Sequence, residues 1–331
     1  MRQPLHLTVL LLLAGAFCAA QEHRSDALLP VRDHGKWGFI DTSGQILIPP
    51  QFDDALEINN TFDGDLEPVE RAGRWGFINR DGSWAIQPTF YLVTKFYGDI
   101  AGVDTDSGWA FINTSGQYLR TPGIENVTQI GEKYFAVVRQ GDDSWTYYDP
   151  NVNLFLPAHR DIPEGFSEGL LPFEEKDKWG YVNEKGEFVI QPTFDEANGF
   201  SESLAAVRLG MKWGFIDKAG HLVVRPQFGW AFGFCEGLAA VEVAPHKYGF
   251  IDTQGRMVVA ARFDEGGCFS DSLAAVSIDH KLGYIDKNGK VVVKAQFSQA
   301  DGFSGGIARV MLPDAKMAYI DKSGRFIWRE R

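Results

Sequence analysis

Residues 213–228 read WGFIDKAGHLVVRPQF. Large and small side chains alternate in the first five residues and aromatic residues are frequent, as is typical of a half-buried β-strand. Asp217 then opens a four-residue turn by bonding the backbone two residues on, and Gly220 accepts a positive φ. A β-branched run follows and ends at Pro226, which has no N–H for a ladder and is expected to stop the strand. The stretch therefore predicts an antiparallel hairpin.

This pattern recurs nine times along the chain at intervals of about 35 residues. The copies begin at Trp37, Trp75, Trp109, Trp145, Trp179, Trp213, Tyr248, Leu282 and Met317. Each copy is preceded by a short apolar run that is rich in alanine in several units, as in Leu204-Ala205-Ala206-Val207. Counted from these runs, the units begin near Leu28, Leu66, Ile100, Phe135, Leu170, Leu204, Leu238, Leu273 and Ile307.

Each unit is expected to supply at least three short antiparallel strands, which predicts an all-β fold of nine tandem β-meander repeats. Such meanders form either a closed propeller or an open solenoid-like or superhelical array. After residue 20 the chain begins partway through one unit, and it stops after Trp328 before the complementary part. Because this arrangement lets the two ends meet in a ring, the propeller-like arrangement is favoured over the open array.

The Trp-Gly-Phe-Ile-Asp strand, the Asp-x-x-Gly turn, Pro-x-Phe and the Phe-Ser-Glu and Leu-Ala-Ala-Val elements recur at constant offsets. In this combination the chain resembles the bacterial WG-repeat family from about Leu28 to Trp328. The resemblance implies a β-rich interaction scaffold and no catalytic residues. Units three and four depart from the pattern, with Ala110 and Thr146 in place of glycine and no Pro-x-Phe at residues 157–159.

The N-terminus predicts export. Residues 5–17 are apolar and lead through Cys18 to Ala19-Ala20, which is typical of a secretory signal peptide spanning residues 1–20. The apolar stretch is shorter than the roughly 20 residues that a membrane helix needs. No later segment of the sequence has that length and hydrophobicity. We therefore expect a periplasmic or secreted protein without a membrane span.

Charge and motifs exclude several function classes. Lys+Arg number 32 against 44 Asp+Glu, a net charge of -12, so the surface repels nucleic acid phosphates. The histidines lack metal-ligand spacing, and no nucleophile triad or phosphate-binding glycine loop is present. Carboxylate pairs such as Asp104/Asp106 and Glu174-Glu175 are interpreted as solvated loop residues. The sequence predicts no enzyme, no cofactor and no metal site.

Candidate ligand contacts are aromatic residues that break the repeat pattern. Trp230, Phe232 and Phe234 occupy a connection that is polar in other units, and Trp84 is a further exception, whereas the repeat tryptophans are assigned to packing. Cys235 and Cys268 lie in neighbouring units, where a disulfide would join unit seven to unit eight. The alternative is two buried free thiols.

Two functions from different classes remain open. The first is an exported, non-catalytic repeat scaffold that mediates protein–protein interaction through one face, as repeat arrays do. The second is a glycan-binding or peptidoglycan-binding module that stacks exposed aromatic residues on sugar rings. Replacing Trp230 with alanine distinguishes them, because a glycan site loses binding and keeps its fold, whereas a packing residue lowers the melting temperature.

Overall fold

The computed structural model describes residues 27–56, 64–119, 123–130, 134–139, 145–149, 154–159 and 165–331. The predicted signal peptide, residues 1–20, lies outside these ranges. The described residues form antiparallel strands in eight sheets, and the strands of each sheet follow one another in chain order. No helix in the described part of the chain is long and apolar enough to cross a bilayer.

The strands of the first four sheets are as follows. Sheet 1 contains β1 (Leu29–Asp33), β2 (Lys36–Ile40) and β3 (Ile46–Phe52). Sheet 2 contains β4 (Asp54–Ala55), β5 (Leu66–Arg71), β6 (Arg74–Asn79) and β7 (Trp84–Phe90). Sheet 3 contains β8 (Leu92–Val93), β9 (Ile100–Thr105), β10 (Gly108–Asn113), β11 (Ile124–Ile130), β12 (Tyr134–Arg139), β13 (Trp145–Asp149) and β14 (Leu154–His159). Sheet 4 contains β15 (Leu170–Glu175), β16 (Lys178–Asn183) and β17 (Phe188–Phe194).

The remaining four sheets each have four strands. Sheet 5 contains β18 (Glu196–Ala197), β19 (Leu204–Leu209), β20 (Lys212–Asp217) and β21 (Leu222–Phe228). Sheet 6 contains β22 (Trp230–Ala231), β23 (Leu238–Ala244), β24 (Lys247–Asp252) and β25 (Met257–Phe263). Sheet 7 contains β26 (Glu265–Ser270), β27 (Leu273–Ile278), β28 (Lys281–Asp286) and β29 (Val291–Phe297). Sheet 8 contains β30 (Gln299–Ala300), β31 (Ile307–Met311), β32 (Met317–Asp321) and β33 (Phe326–Arg329).

Nine predicted units fold into eight described sheets because units three and four share one. In the regular units the returning strand leads directly into the short first strand of the next sheet. In sheet 3, β11 instead contacts β10 through the pair Trp109 and Ile124 and pairs along its length with β12. The departures from the repeat pattern at Ala110 and Thr146 therefore mark the place where two units merge.

The sheets close into a propeller-like ring. The Tyr319 hydroxyl of sheet 8 donates a hydrogen bond to the Pro30 carbonyl of sheet 1 at 2.8 Å. Arg32 forms an ion pair with Glu330 at 3.0 Å. Met317 lies in the same apolar cluster as Trp37. These contacts join the first sheet to the last, and the propeller-like prediction is confirmed.

The strand that was expected to stop at its proline continues past it. β21 runs to Phe228, which pairs with Trp213, while Phe215 pairs with Val224. Three residues, Pro226 among them, thus face one residue of β20 in a bulge, where a missing N–H costs no ladder bond. The prediction of a strand end at proline is wrong for this reason. The backbone of the bulge packs closely against Gly214. A Cβ added at this glycine would lie 2.5 Å from the Val224 carbonyl oxygen.

Side-chain bonds to the backbone join successive units. The Glu202 carboxylate accepts a hydrogen bond from the Gly237 N–H at 2.9 Å, and Glu168, Glu236 and Asp271 repeat this bond one unit apart. The Ser201 hydroxyl donates to the Phe234 carbonyl of the following unit, as Ser270 does to Phe303. The recurring Phe-Ser-Glu element therefore connects neighbouring sheets.

Hydrogen bonds in several hairpin turns lower the pKa of an aspartate. The Asp321 carboxylate accepts bonds from the Ser323 hydroxyl at 2.6 Å and from the Ser323 N–H at 2.9 Å. The Ser323 hydroxyl is the main cause that lowers the pKa of Asp321 to about 2. The pKa values of Asp41, Asp81 and Asp217 are also lowered, by the Ser43 hydroxyl, the Ser83 hydroxyl and the His221 N–H respectively.

Acid is expected to destabilise the protein through these turns. An aspartate whose folded pKa lies below its unfolded value of about 3.9 stabilises the fold above that value. The contribution is lost as the pH falls from about 4 to about 2. The free energy of unfolding, measured in urea, should fall less from pH 7 to pH 3 in Asp321→Asn than in wild type. Asn183 already forms the same turn bonds, so the fold should persist, and an unchanged pH dependence would contradict the assignment.

Candidate functional site

An exposed aromatic surface lies where sheet 5 meets sheet 6. Trp230 lies two residues after the end of β21, and its side chain is 39% exposed. Its ring centroid lies 5.0 Å from that of Trp213, which is buried, and 6.2 Å from that of Phe232. Phe232 is half-buried, and its ring centroid lies 6.3 Å from that of Tyr248. The structure thus brings together two of the predicted contact residues, Trp230 and Phe232.

Phe234 does not belong to this surface. It is fully buried, and its ring lies 4.8 Å from that of Phe215. Phe234 occupies the phenylalanine position of the Phe-Ser-Glu element, and its equivalents Phe200, Phe269 and Phe303 are buried as well. A ligand in solvent cannot reach a side chain in the core, so the prediction of Phe234 as a contact residue is corrected.

Trp84 packs between sheets 1 and 2. Its half-buried ring meets Phe52 edge-on at 5.8 Å and lies under the Arg71 guanidinium at 5.2 Å. It contacts the apolar cluster that contains Trp37. The contacts of Trp84 are those of a residue that joins two sheets, and they do not connect it to Trp230. The repeat tryptophans Trp37, Trp75 and Trp213 are buried, which fits their assignment to packing.

Carboxylates lie beside the aromatic surface of sheet 6. Trp230 pairs directly with Glu242 across β22 and β23, and Glu242 pairs with Tyr248 across β23 and β24. Burial raises the pKa of Tyr248, and the charges of Glu242 and Glu265 raise it further. Sequence reasoning missed these three residues, although an alignment of the units would have shown glutamate at position 242 where the preceding unit has Arg208.

Cys235 and Cys268 are joined by a disulfide in the structure, with their Cα atoms 5.6 Å apart. Cys235 occupies the position of Ser201 and Ser270, whose hydroxyls donate to the next unit. The covalent bond therefore replaces the serine-to-carbonyl hydrogen bond at this one connection of the described ring.

A cleft of about 390 Å³ opens at the irregular sheet 3, lined in part by Asp106, Trp109 and Tyr118. Asp106 accepts a hydrogen bond from the Tyr91 hydroxyl at 2.5 Å. Burial raises the pKa of Asp104. Within the described ranges no group of three or more histidine, cysteine or carboxylate side chains could hold a metal ion.

The edge strands of the sheets expose aliphatic side chains. In β21 the first two residues, Leu222 and Val223, are 46% and 44% exposed. β21 is the last strand of sheet 5, so the backbone N–H and C=O groups on its outer side have no neighbouring strand in the sheet. The same two positions are exposed and apolar in three further sheets, at Ile46 and Leu47, Met257 and Val258, and Val291 and Val292. The proline and bulge later in several of these strands limit edge-to-edge aggregation.

One solved structure shares the overall fold, and others match with lower scores. The chain is similar to a eukaryotic initiation factor, a β-propeller, with a TM-score of 0.63 and 13% identity over 93% of this chain and 96% of the other. AztD from Citrobacter koseri matches with a TM-score of 0.45 and 13% identity over 92% of this chain and 93% of the other. BamB from Moraxella catarrhalis matches with a TM-score of 0.41 and 10% identity over 77% and 93%. At these identities the likeness to the initiation factor concerns the fold alone.

No curated protein matches the chain. The family model described as the WG containing repeat matches six regions, at residues 37–60, 75–109, 179–213, 213–244, 248–281 and 283–312. These regions cover more than half of the chain, whereas the unmatched residues 110–178 include β11, β12, β13 and β14 of the merged sheet. The chain belongs to the WG containing repeat family.

Proposed function

We propose that the chain is an exported, non-catalytic repeat scaffold that binds a protein partner along the edges of its sheets. The observation that carries this proposal is the recurrence of exposed aliphatic pairs at the start of the edge strands, as at Leu222 and Val223. Exposed apolar residues in a regular series are a feature of protein interaction surfaces. The apolar segment at residues 5–17, followed by Ala20, supports export.

The chemistry of these edges favours protein over glycan. An extended peptide that adds as a strand satisfies the outer N–H and C=O groups and places its side chains among the aliphatic residues. Leucine, valine and methionine offer no flat face on which a sugar ring could stack. Among the predicted contact residues, Trp230 is exposed and supports the alternative of a glycan-binding or peptidoglycan-binding module.

Edge-strand variants test the proposal. Residues 21–331 would be immobilised and incubated with envelope fractions of the source organism, before and after protease digestion of those fractions. The triple variant Val223→Asp, Val258→Asp and Val292→Asp should reduce capture at least about tenfold, because it places charge on an apolar contact surface.

The matched control is Val243→Asp on β23. Val243 is 46% exposed and Val223 is 44% exposed, so the same chemical change is made outside the edge strands. We expect the control to bind as wild type does, with circular dichroism showing that every variant is folded. Binding that survives protease digestion and resists the triple substitution would overturn the proposal in favour of a glycan.

A further inference from the structure

Three side chains of sheet 6 form one row on the same face. Trp230, Glu242 and Tyr248 are directly paired across β22, β23 and β24. Residues directly opposite one another in antiparallel strands have Cβ atoms about 4.5–5.5 Å apart and lie on the same side of the sheet. The Cβ of Glu242 therefore lies between those of two aromatic residues, and the Trp230 ring is open to solvent.

The charge of this row is not neutralised by the described residues. Neither Glu242 nor Glu265 forms an ion pair with a lysine or arginine of the described chain. The carboxylate of Glu242 does accept the His246 N–H at 3.0 Å, which anchors it at the end of the hairpin. The charges of both glutamates raise the pKa of the Tyr248 hydroxyl. The row is an aromatic surface with an anchored negative charge.

Two other sheets place an arginine at the equivalent position. In sheet 5, Arg208 is paired with Trp213 across the strands, and its Nη2 bonds the Glu196 carboxylate at 2.6 Å. In sheet 1 the Arg32 guanidinium lies 5.9 Å from the Trp37 ring. That guanidinium is bound by Glu330 at 3.0 Å. The chain thus twice combines a repeat aromatic residue, a carboxylate and a guanidinium.

Sheet 6 has the aromatic residues and the carboxylate and lacks the guanidinium. We propose that the Trp230–Glu242–Tyr248 row binds an arginine side chain of the protein partner, with the guanidinium against Trp230 and paired with Glu242. This inference rests on the proposed function, since it supplies the chemistry of the partner. A planar guanidinium stacks on an aromatic ring while it bonds a carboxylate, which a lysine ammonium does less well. The net charge of -12 also favours a basic partner.

The direct test uses a defined peptide. Its sequence is acetyl-Gly-Ser-Gly-Arg-Gly-Arg-Gly-Ser-Gly-amide, and the control peptide carries citrulline, which is neutral and of similar shape, at both arginine positions. The Trp230 indole N–H signal in nuclear magnetic resonance spectra, identified with Trp230→Phe, should shift saturably with the arginine peptide. The citrulline peptide should bind at least about tenfold more weakly, and raised salt should weaken the binding of the arginine peptide.

Two variants separate binding from structure. Glu242→Gln keeps an oxygen that accepts the His246 N–H and removes the charge. It should therefore lower the affinity for the arginine peptide at least about fivefold without loss of fold. The matched control is Glu70→Gln, because Glu70 is paired with Trp75 at the same register position but with Asp54 on the other side. Equal binding of both peptides, or an unchanged affinity in Glu242→Gln, would overturn the inference.

The edge-strand variant distinguishes this failure from failure of the proposed function. The triple variant at Val223, Val258 and Val292 should still bind the arginine peptide, because the row does not include those residues. If the peptide does not bind while the triple variant still loses partner capture, the inference is wrong and the proposed function stands. If the peptide binds the row while partner capture resists the triple variant, the row is supported and the edge-strand proposal is wrong.

Discussion

Replacing Gly214 with alanine is expected to lower the free energy of unfolding by about 2–3 kcal/mol, the range for an extra methyl group in a space that cannot expand. The added Cβ would lie 2.5 Å from the Val224 carbonyl oxygen and 2.7 Å from the Pro226 nitrogen. Both atoms belong to the backbone of the bulge, so no side-chain rotation can relieve the contact. Urea unfolding followed by tryptophan fluorescence measures the change.

Gly64→Ala is the matched control. At Gly64 an added Cβ would approach no atom closer than 3.7 Å, and the backbone does not have a positive φ. This substitution should leave the protein as stable as wild type or slightly more stable, because alanine reduces the freedom of the unfolded chain. Equal stability of Gly214→Ala and wild type would show that the bulge can move away, and would contradict the explanation of the repeat glycine.

The irregular units support the same explanation. Where the returning strand pairs without this bulge, the glycine position carries a larger residue. Thr146 pairs directly with Ala158, and Ala318 pairs directly with Arg329. In contrast, Gly249 and Gly283 face bulges built on alanine, at Ala261 and Ala295, and remain glycine. The residue type follows the backbone of the opposite strand.

Reducing the disulfide between Cys235 and Cys268 is expected to cost about 3–4 kcal/mol of stability. The bond closes a loop with a sequence separation of 33 residues, and loop-closure entropy of the unfolded chain gives this magnitude. Unfolding in urea with and without a phosphine reductant measures the difference. The bond itself is checked by the intact mass after alkylation of the unfolded protein, which should show no free thiol at either cysteine before reduction.

Two double variants separate the covalent bond from the hydrogen bond that it replaces. Cys235→Ser with Cys268→Gly restores the residues of the neighbouring units, and its serine should donate to the Phe269 carbonyl as Ser201 does to Phe234. Cys235→Ala with Cys268→Gly cannot form that bond and should be about 1 kcal/mol less stable. Reductant should affect neither variant, and equal stability of the two would contradict the serine-like role of position 235.

Local features of the fold were predictable because they depend on a few neighbouring residues. The hairpins, the Asp-x-x-Gly turns and the repeat period follow from side-chain alternation and turn chemistry. The continuation of β21 through Pro226 was not, because a bulge depends on the opposing strand. The merging of units three and four could be suspected from Ala110 and Thr146, but the pairing of β11 with two strands is a long-range choice.

The candidate site shows the same division. Trp230 and Phe232 could be found because they break the repeat pattern at exposed or half-exposed positions. Phe234 lies two residues further on and is buried, since it takes the phenylalanine position of the Phe-Ser-Glu element. Glu242 differs from Arg208 at the equivalent position of the preceding unit, but only the register of β22, β23 and β24 brings Glu242 and Tyr248 beside Trp230.

The sequence by itself determined the repeat unit, the all-β class and the family, because strand alternation and turn geometry repeat within each span of about 35 residues. The tertiary structure decided how the units join. Closure between sheets 1 and 8 rests on contacts such as Tyr319 to Pro30, which lie 289 residues apart in the chain. Contacts at such separation arise only when every intervening sheet stacks at the correct angle. No local sequence pattern specifies the total of these angles around the ring.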